Sequence, residues 1–519
     1  MEIKQIRHFH IFCGSGGGAK GFNEADARVG SLKADFICLG GIDVDSAAIQ
    51  DFTMLTGVSG TVLDLFSYDQ YVRFHGKEPP IGWKEATPSD IQIAAGNDKP
   101  NIVFTSSPCK GYSGLLSPEK SKTDKYQALN ELTLRGYFLT LEAWKDDPPE
   151  FFIMENVPRI QSRGAHLLDQ IERLLDLYGY AVARTTHDCG EIGELAQSRR
   201  RFLMVARHRE KVPPFLYEPQ IRPILPVGKV LERMPIPGDE SAGPMHQLPN
   251  LQFKTWVRLA CVEQGSDWRS LENYKTKNGN LSDFLMLPKQ YGYSGILGVN
   301  QWDKHVPAVS GRSSPSTGKY SVADPRYTMK GCFEIVSRLG VVDIDHMHFP
   351  IADPRTGLRR KRGDSYSSSK HYGVLPWTSS AGAIASASKH DNGAWSIADP
   401  RAIKGDIRHS LPDGNERMIA VIKALDGTWH RPFTTLELAV LQGLIEPEEY
   451  LQLSGTSHTS WRERIGNMVP PKAAKAIASM MGETLLLAWA GESFVLSATP
   501  IWVRNIAIAT SLDLPNRKY

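Results

Sequence analysis

The 519-residue chain has only six cysteines, at positions 13, 38, 109, 189, 261 and 332, and no CxxC pair among them. That scatter excludes a disulfide framework and a structural zinc site, so no metal is expected and a special cysteine is expected to be a reactive one. Long apolar runs are also missing, since none approaches the ~18 residues of a membrane span. The opening MEIKQIRHFHIF has no long apolar core followed by small residues. No secretion signal is therefore expected, and a cytoplasmic location is expected. Charge of one sign is lacking too: 60 Lys and Arg against 57 Asp and Glu leave a net +3. This mild basicity permits a nucleic-acid partner without demanding one. What remains is globular, with 41% hydrophobic and 23% charged residues. At ~150 residues per domain, the length suits two or three domains.

Through the first 205 residues, short apolar runs alternate with amphipathic stretches, the pattern of a parallel sheet with helices on its faces. Strands are expected at His8–Phe12, Asp35–Ile42, Thr61–Leu65, Ile102–Thr105, Phe151–Met154, Tyr180–Thr185 and Phe202–Ala206. The clearest helix is His166–Tyr178, whose Leu167, Leu168, Ile171, Leu174 and Leu175 share a face before Gly179. The proline-broken KVPPFLYEPQIRPILPVGK sets a boundary near residue 210. Residues 1–210 then form a first domain, 211–464 a second, 465–490 a returning segment that completes the first, and 491–519 an extension. In the returning region, Thr434–Leu441 and Lys472–Ala490 have helical spacing around a turn-prone RIGNMVPP.

The polar stretch from about 230 to 430 contains a duplication. Gly298–Arg326 aligns without gaps to Gly373–Arg401 at an offset of 75, with eleven of 29 positions identical. Composition alone would give roughly two. Two copies suit a repeated short β unit and not a solenoid, which needs three or more. ADPR ends both copies and recurs at Ala352–Arg355; Asp-Pro on its own also simply turns a chain.

Glycine concentrates in FCGSGGG, residues 12–18, at the end of the first strand. Such a run brings backbone N–H groups close to a polar ligand. Gly16, Gly18 and Gly21 satisfy the dinucleotide pattern GxGxxG, with Asp43 at a ribose-binding distance, but a turn that binds nothing has the same spelling. Further on, Cys109 follows the strand Ile102–Thr105 and Glu155 closes the next, so a nucleophile and an acid occupy neighbouring strand ends. Arginines that can lower a thiol pKa stand in Gln197-Ser198-Arg199-Arg200-Arg201, where strand alternation sends Arg199 and Arg201 to one side.

Taken in order, IFCGSGGG, Asp43, Asp64, SPCKGYSG, MENV, QSRRRFLMVA, RPFTTLELAVLQG and RIGNMVPPKAAKAIA resemble the motifs of the DNA (cytosine-5) methyltransferases. The resemblance implies an α/β fold: a Rossmann-like mixed sheet with helices on both faces, plus a smaller, irregular, β-rich target-recognition domain. It implies S-adenosyl-L-methionine as the ligand of the glycine run. Phe12 would lie against the adenine, with Gly14, Ser15, Gly16 and Gly17 near the amino-acid part and Asp43 and Val44 at the ribose side. Asp64 and Leu65 would meet the adenine, and Pro108, Asn467 and Val469 would complete the site. Cys109 would add to cytosine C6, Glu155 would serve N3, and Arg199 or Arg201, with Arg201 preferred, would bind O2. The base must then leave the duplex stack.

The loop after Cys109, with Gly111, Ser113 and Gly114, would close over that base. Lys110, Lys120, Lys122 and Lys125 would meet phosphates, as would the basic run Arg359–Arg362. Two positions depart from the family pattern: Lys110 replaces a usual glutamine, and His10 a usual aspartate. The implied partner is double-stranded DNA bound by a monomer near the nucleoid, with any cognate restriction endonuclease a functional partner only. Which of Arg312, Arg326, Arg355 and Arg401 reach bases is left open. So are two other activities, methylation of RNA cytosine and DNA binding without turnover.

Overall fold

The computed structural model describes residues 1–108, 123–214, 216–237, 239–267, 299–300, 321–323, 341–343, 373–375, 378–382, 384, 394–398, 416–424, 428–490 and 502–503. Nine strands are labelled here: β1 (Glu2–Ile11), β2 (Arg28–Val29), β3 (Leu32–Asp43), β4 (Thr61–Val62), β5 (Ile102–Thr105), β6 (Phe151–Asn156), β7 (Tyr180–Asp188), β8 (Gln197–Ser198) and β9 (Arg200–His208). Except for β8, they form one eight-stranded sheet in the order β2-β3-β1-β5-β6-β9-β7, with β4 on β3. β1, β3, β5 and β6 run parallel, while β9 lies antiparallel between β6 and β7. This is the Rossmann-like mixed sheet that the family resemblance implies; the alternation of the sequence points to a parallel sheet, from which β9, antiparallel to both β6 and β7, departs.

The central strands are apolar throughout because both faces are covered. Phe104, Phe151, Ile153, Leu203 and Val205 enter one core. Their neighbours Val103, Phe152, Met154, Phe202 and Met204 enter the other. The first face lies under α1 (Gly17–Asn23) and a helix from far along the chain, Pro471–Trp489. The two pack so closely that a Cβ on Gly21 would lie 2.1 Å from the Pro471 carbonyl. The second face carries Asp124–Ala143 and Ala165–Leu177. Gly179, at φ 84°, ends the latter in a left-handed conformation that favours glycine.

Most differences from the expected elements are extensions. β1 begins at Glu2 because its polar first half still pairs with Leu32–Ile37 of β3. The turn expected at RIGN is instead the end of a helix, His458–Asn467, capped by the Ser457 hydroxyl. Among the described residues from 299 to 432, seven short strands form one sheet. The two copies of the duplication carry the same internal register: Val299 pairs with Ser321 as Val374 pairs with Ser396. Ala323 and Ala398, equivalent residues, pair with each other. Arg326 and Arg401, at the ends of the copies, lie outside the described residues, as do Arg312, Arg355 and Arg359–Arg362.

Candidate active site

β1 leads by crossover to β3 on one side, while β5 lies on its other side, so the carboxyl ends of β1 and β5 flank the switch point of the sheet. The glycine run starts there. Phe12 and Gly14 have φ of 53° and 50°, and Gly16 caps α1 at 86°. Backbone and side-chain ties on three sides hold this unusual path. The Cys13 N–H donates to the Ile42 carbonyl at 3.0 Å. Gly14 N–H donates to Asp43 Oδ2 at 2.9 Å. Ser106 Oγ donates to the Phe12 carbonyl at 2.9 Å. A Cβ on Gly14 would meet nothing within 4 Å, so its backbone faces open space. A Cβ on Gly17 would lie 2.4 Å from the Val469 carbonyl, so the segment after His458–Asn467 forms the opposite wall.

Phe12 packs on the Cα of Gly136, where a Cβ would come within 3.0 Å of its ring and 3.8 Å of Leu65. Val44 is 65% exposed, and Asn467 is exposed beside buried Met468 and Val469. Asp43 also accepts from the Asp45 N–H at 3.0 Å. Burial raises its pKa, and the amides of Asp45 and Gly14 pull it back. Asp64 accepts from the Phe66 N–H at 2.9 Å and from the Trp83 indole at 3.2 Å. An open backbone stretch, a half-buried aromatic ring and two oriented carboxylates suit a ligand with a ribose and a planar base. These features are compatible with the cofactor that the family resemblance implies, which Phe12, Gly14, Asp43, Asp64 and Leu65 could hold.

His10 packs against the end of the glycine run, its Nδ1 3.6 Å from where a Cβ on Gly18 would sit. It lies under α1, its ring 5.3 Å from Phe22 and 5.4 Å from Phe104. Its Nε2 shares a proton with His8 Nδ1 at 2.9 Å, and His8 Nε2 reaches Asn23 at 3.0 Å. Burial pushes the His8 pKa down to about 3 and His10 well below its ordinary value. Both rings are therefore neutral core groups.

The second half of the site lies at the ends of β5 and β6. Asn156 Nδ2 donates to the Ser107 carbonyl at 3.3 Å and to Ser107 Oγ at 3.2 Å, fixing the approach to half-buried Pro108. Cys109 lies outside the described residues, as do Lys110, Gly111, Ser113, Gly114, Lys120 and Lys122. Glu155, 6% exposed, faces β9, and Arg201 Nε lies 2.9 Å from its Oε1. Among the described cysteines, burial pushes Cys38, Cys189 and Cys261 up to about 12 and Cys13 well above its ordinary value. None of the four offers a thiolate near neutral pH.

Arg199 and Arg201 do not share a side, because the break between β8 and β9 falls at Arg199 and interrupts the alternation. Arg199 is 2% exposed and donates to the carbonyls of Ile384 at 2.7 Å, Gly466 at 3.1 Å and Met468 at 3.2 Å. It clasps the returning segment, whereas Arg201 faces Glu155.

Sequence reasoning passed over Asn156, Ser106, Gly136, Trp83 and the buried Asp51. Asn156 had a local signal, since it follows Glu155 at the same strand end. The others act through partners far along the chain, which no spacing shows.

Residues 78–286 match the family described as C-5 cytosine-specific DNA methylase. No curated protein matches the chain. Among solved structures, the chain is similar to a putative DNA modification methyltransferase encoded within a prophage of E. coli, at 15% identity over 93% of this chain and 99% of that one, with a TM-score of 0.46. It is also similar to the methyltransferase EhMeth of Entamoeba histolytica, at 13% over 93% and 98% with 0.44. The Dnmt2 methyltransferase of S. pombe aligns at 13% over 94% and 99% with 0.40.

Proposed function

With residues 78–286 a C-5 cytosine-specific DNA methylase domain, we propose that this protein methylates C5 of a cytosine extruded from a specific duplex DNA sequence. S-adenosylmethionine, held along the glycine run, supplies an electrophilic methyl group. The observation that carries this reading is the convergence at adjacent strand ends. The Asn156-braced segment running into Cys109 and the Glu155–Arg201 pair stand beside an open glycine backbone.

Cytosine C5 is a weak nucleophile, and addition of the Cys109 thiolate at C6 activates it. The electron pair displaced from the C5–C6 bond moves toward N3, where Glu155 hydrogen-bonds the ring. Arg201, oriented by Glu155, binds O2 and stabilises the charge that gathers on the pyrimidine. After methyl transfer, a water-derived base takes the C5 proton, and the returning electron pair expels the Cys109 thiolate. Arg199 acts here as a positioning residue that fixes the 466–468 wall. Of Lys110, Lys120, Lys122 and Lys125, Lys125 lies among the described residues, its Nζ 4.9 Å from the Phe74 ring centroid, and would meet phosphate.

The test is incubation with tritiated S-adenosylmethionine and either duplex DNA or transfer RNA. Label at cytosine C5 of DNA, lost in Cys109→Ser, is the expected result. Label confined to RNA, or full activity in Cys109→Ser, overturns the proposal.

A further inference from the structure

Helix Ser46–Thr56 presents two consecutive side chains to the glycine run. Phe52 lies beneath Gly16, where a Cβ would come within 2.9 Å of its ring. Asp51, fully buried, is more unusual, because a carboxylate in a core needs several partners. It has three. Ser15 Oγ donates to Oδ2 at 3.2 Å, the Ser454 N–H donates to Oδ1 at 2.7 Å, and Arg464 Nε lies 2.6 Å from Oδ2. Arg464 also donates to the Ser454 carbonyl, as does Trp461 Nε1 at 3.0 Å. The Arg464 carbonyl in turn accepts from the Met468 N–H at 3.1 Å, next to the Val469 carbonyl that touches Gly17.

Asp51 thus joins the loop at Ser15 to Ser454, 403 residues further along the chain than Asp51 itself, and that segment touches the loop again at Gly17. A hydrophobic side chain would fill the same space without needing a cation, and isosteric replacement of buried ion pairs is often neutral for stability. The position of the charge, between the loop and the chain returning from the 230–430 region, is better explained by coupling.

We propose that Asp51 and Arg464 are positioning residues that lock the glycine loop to the 454–469 segment, so that cofactor binding on one side orders the other. The proposal rests on the reading that the loop holds S-adenosylmethionine. It gives the region before the returning segment a route to the cofactor site: displacement of Ser454 or Arg464 releases Ser15 directly.

The test uses the full-length protein, with amide exchange read by mass spectrometry and cofactor affinity by calorimetry. In the wild type, S-adenosylmethionine is expected to slow exchange in both 13–18 and 453–469. In Asp51→Asn, cofactor affinity is expected to fall ~10–100-fold, the range for loss of a charge-assisted hydrogen bond. In that variant, protection is expected in 13–18 alone. Ser15→Ala keeps the ion pair and removes only the bridging hydroxyl, so it tests the link even where Asp51→Asn folds poorly; protection confined to 13–18 is expected there too.

Coupled protection that survives in both variants, or no protection of 453–469 in the wild type, overturns the proposal. Failure of the wild type to bind S-adenosylmethionine counts instead against the functional reading. The lock is then judged without cofactor, by whether Asp51→Asn accelerates exchange in 13–18; equal exchange overturns it.

Discussion

The two walls of the site are built in opposite ways. The wall around the glycine run is made of backbone held by buried groups behind it: Asp51 joined to Ser15, Ser454 and Arg464, and Arg199 joined to the carbonyls of Ile384, Gly466 and Met468. The wall at the ends of β5 and β6 presents side chains directly, Glu155 and Arg201 to each other and Asn156 to Ser107. On the proposed function, backbone that is to carry a cofactor needs a rigid path, which accords with the many ties on that side. On the same reading, side chains that would meet charge developing on a base need orientation but also room, which accords with one or two partners each.

This contrast can be broken most severely at Arg199. Arg199→Ala removes the donor to the buried carbonyls of Ile384 and Gly466, while the Met468 carbonyl keeps Gln442 Nε2 at 2.8 Å, and is expected to cost ~2–4 kcal/mol, read as a lowered Tm, with activity lost through the fold. Arg199→Lys should not rescue it, because an ammonium cannot reach all three acceptors in one plane. Two residues on, Arg201→Ala unpairs the nearly buried Glu155 alone, so it should lower Tm by less than Arg199→Ala and leave cofactor affinity nearly unchanged, while lowering kcat/KM by ~10²–10³-fold, the range for losing one donor to a developing charge. Equal Tm losses at the two arginines would erase the distinction.

Smaller effects separate two glycines of one loop. Gly17→Ala forces a Cβ to within 2.4 Å of the Val469 carbonyl and should cost ~1–3 kcal/mol while weakening cofactor binding. Gly14→Ala meets no atom and costs only the strain of φ 50°, ~1 kcal/mol, so its effect on unfolding should be the lesser.

The last prediction lies under the loop. His8, with its pKa pushed down to about 3, and His10 are neutral when folded and protonate near 6.5 when unfolded. Their contribution is complete above pH 6.5 and is lost as pH falls from there toward 3, by up to ~1.4 kcal/mol per pH unit for each ring. Denaturant unfolding between pH 7 and 5 should show a shallower slope in the double variant His8→Gln/His10→Gln.

Much of the catalytic sheet was legible because its strands are buried on both faces and flanked by turn residues. Ile102–Thr105 has the expected limits, and Ala165–Leu177 differs from its expected helix by one residue at each end. Glycine at 14 and 16 was visible because positive φ admits little else. Arg199 and Arg201 were legible as a pair but not as opposites, since a one-residue break between two strands has no signature in composition. Asp51 was invisible for a different reason. An acidic residue on an amphipathic helix is ordinarily solvated, and only the partner 403 residues on makes it a core group. The helix over His458–Asn467 was hidden because glycine and asparagine at its end spell a turn.

The most direct test of the central claim, that the ends of β5 and β6 carry the chemistry on a pyrimidine, is intact-mass analysis after incubation with S-adenosylmethionine and a duplex containing 5-fluorocytosine. Fluorine at C5 cannot leave as a proton does, so the C6 adduct should persist, and fragmentation should place the DNA on Cys109. A covalent complex mapped to another residue, or no complex under conditions where ordinary DNA is methylated, would contradict the account.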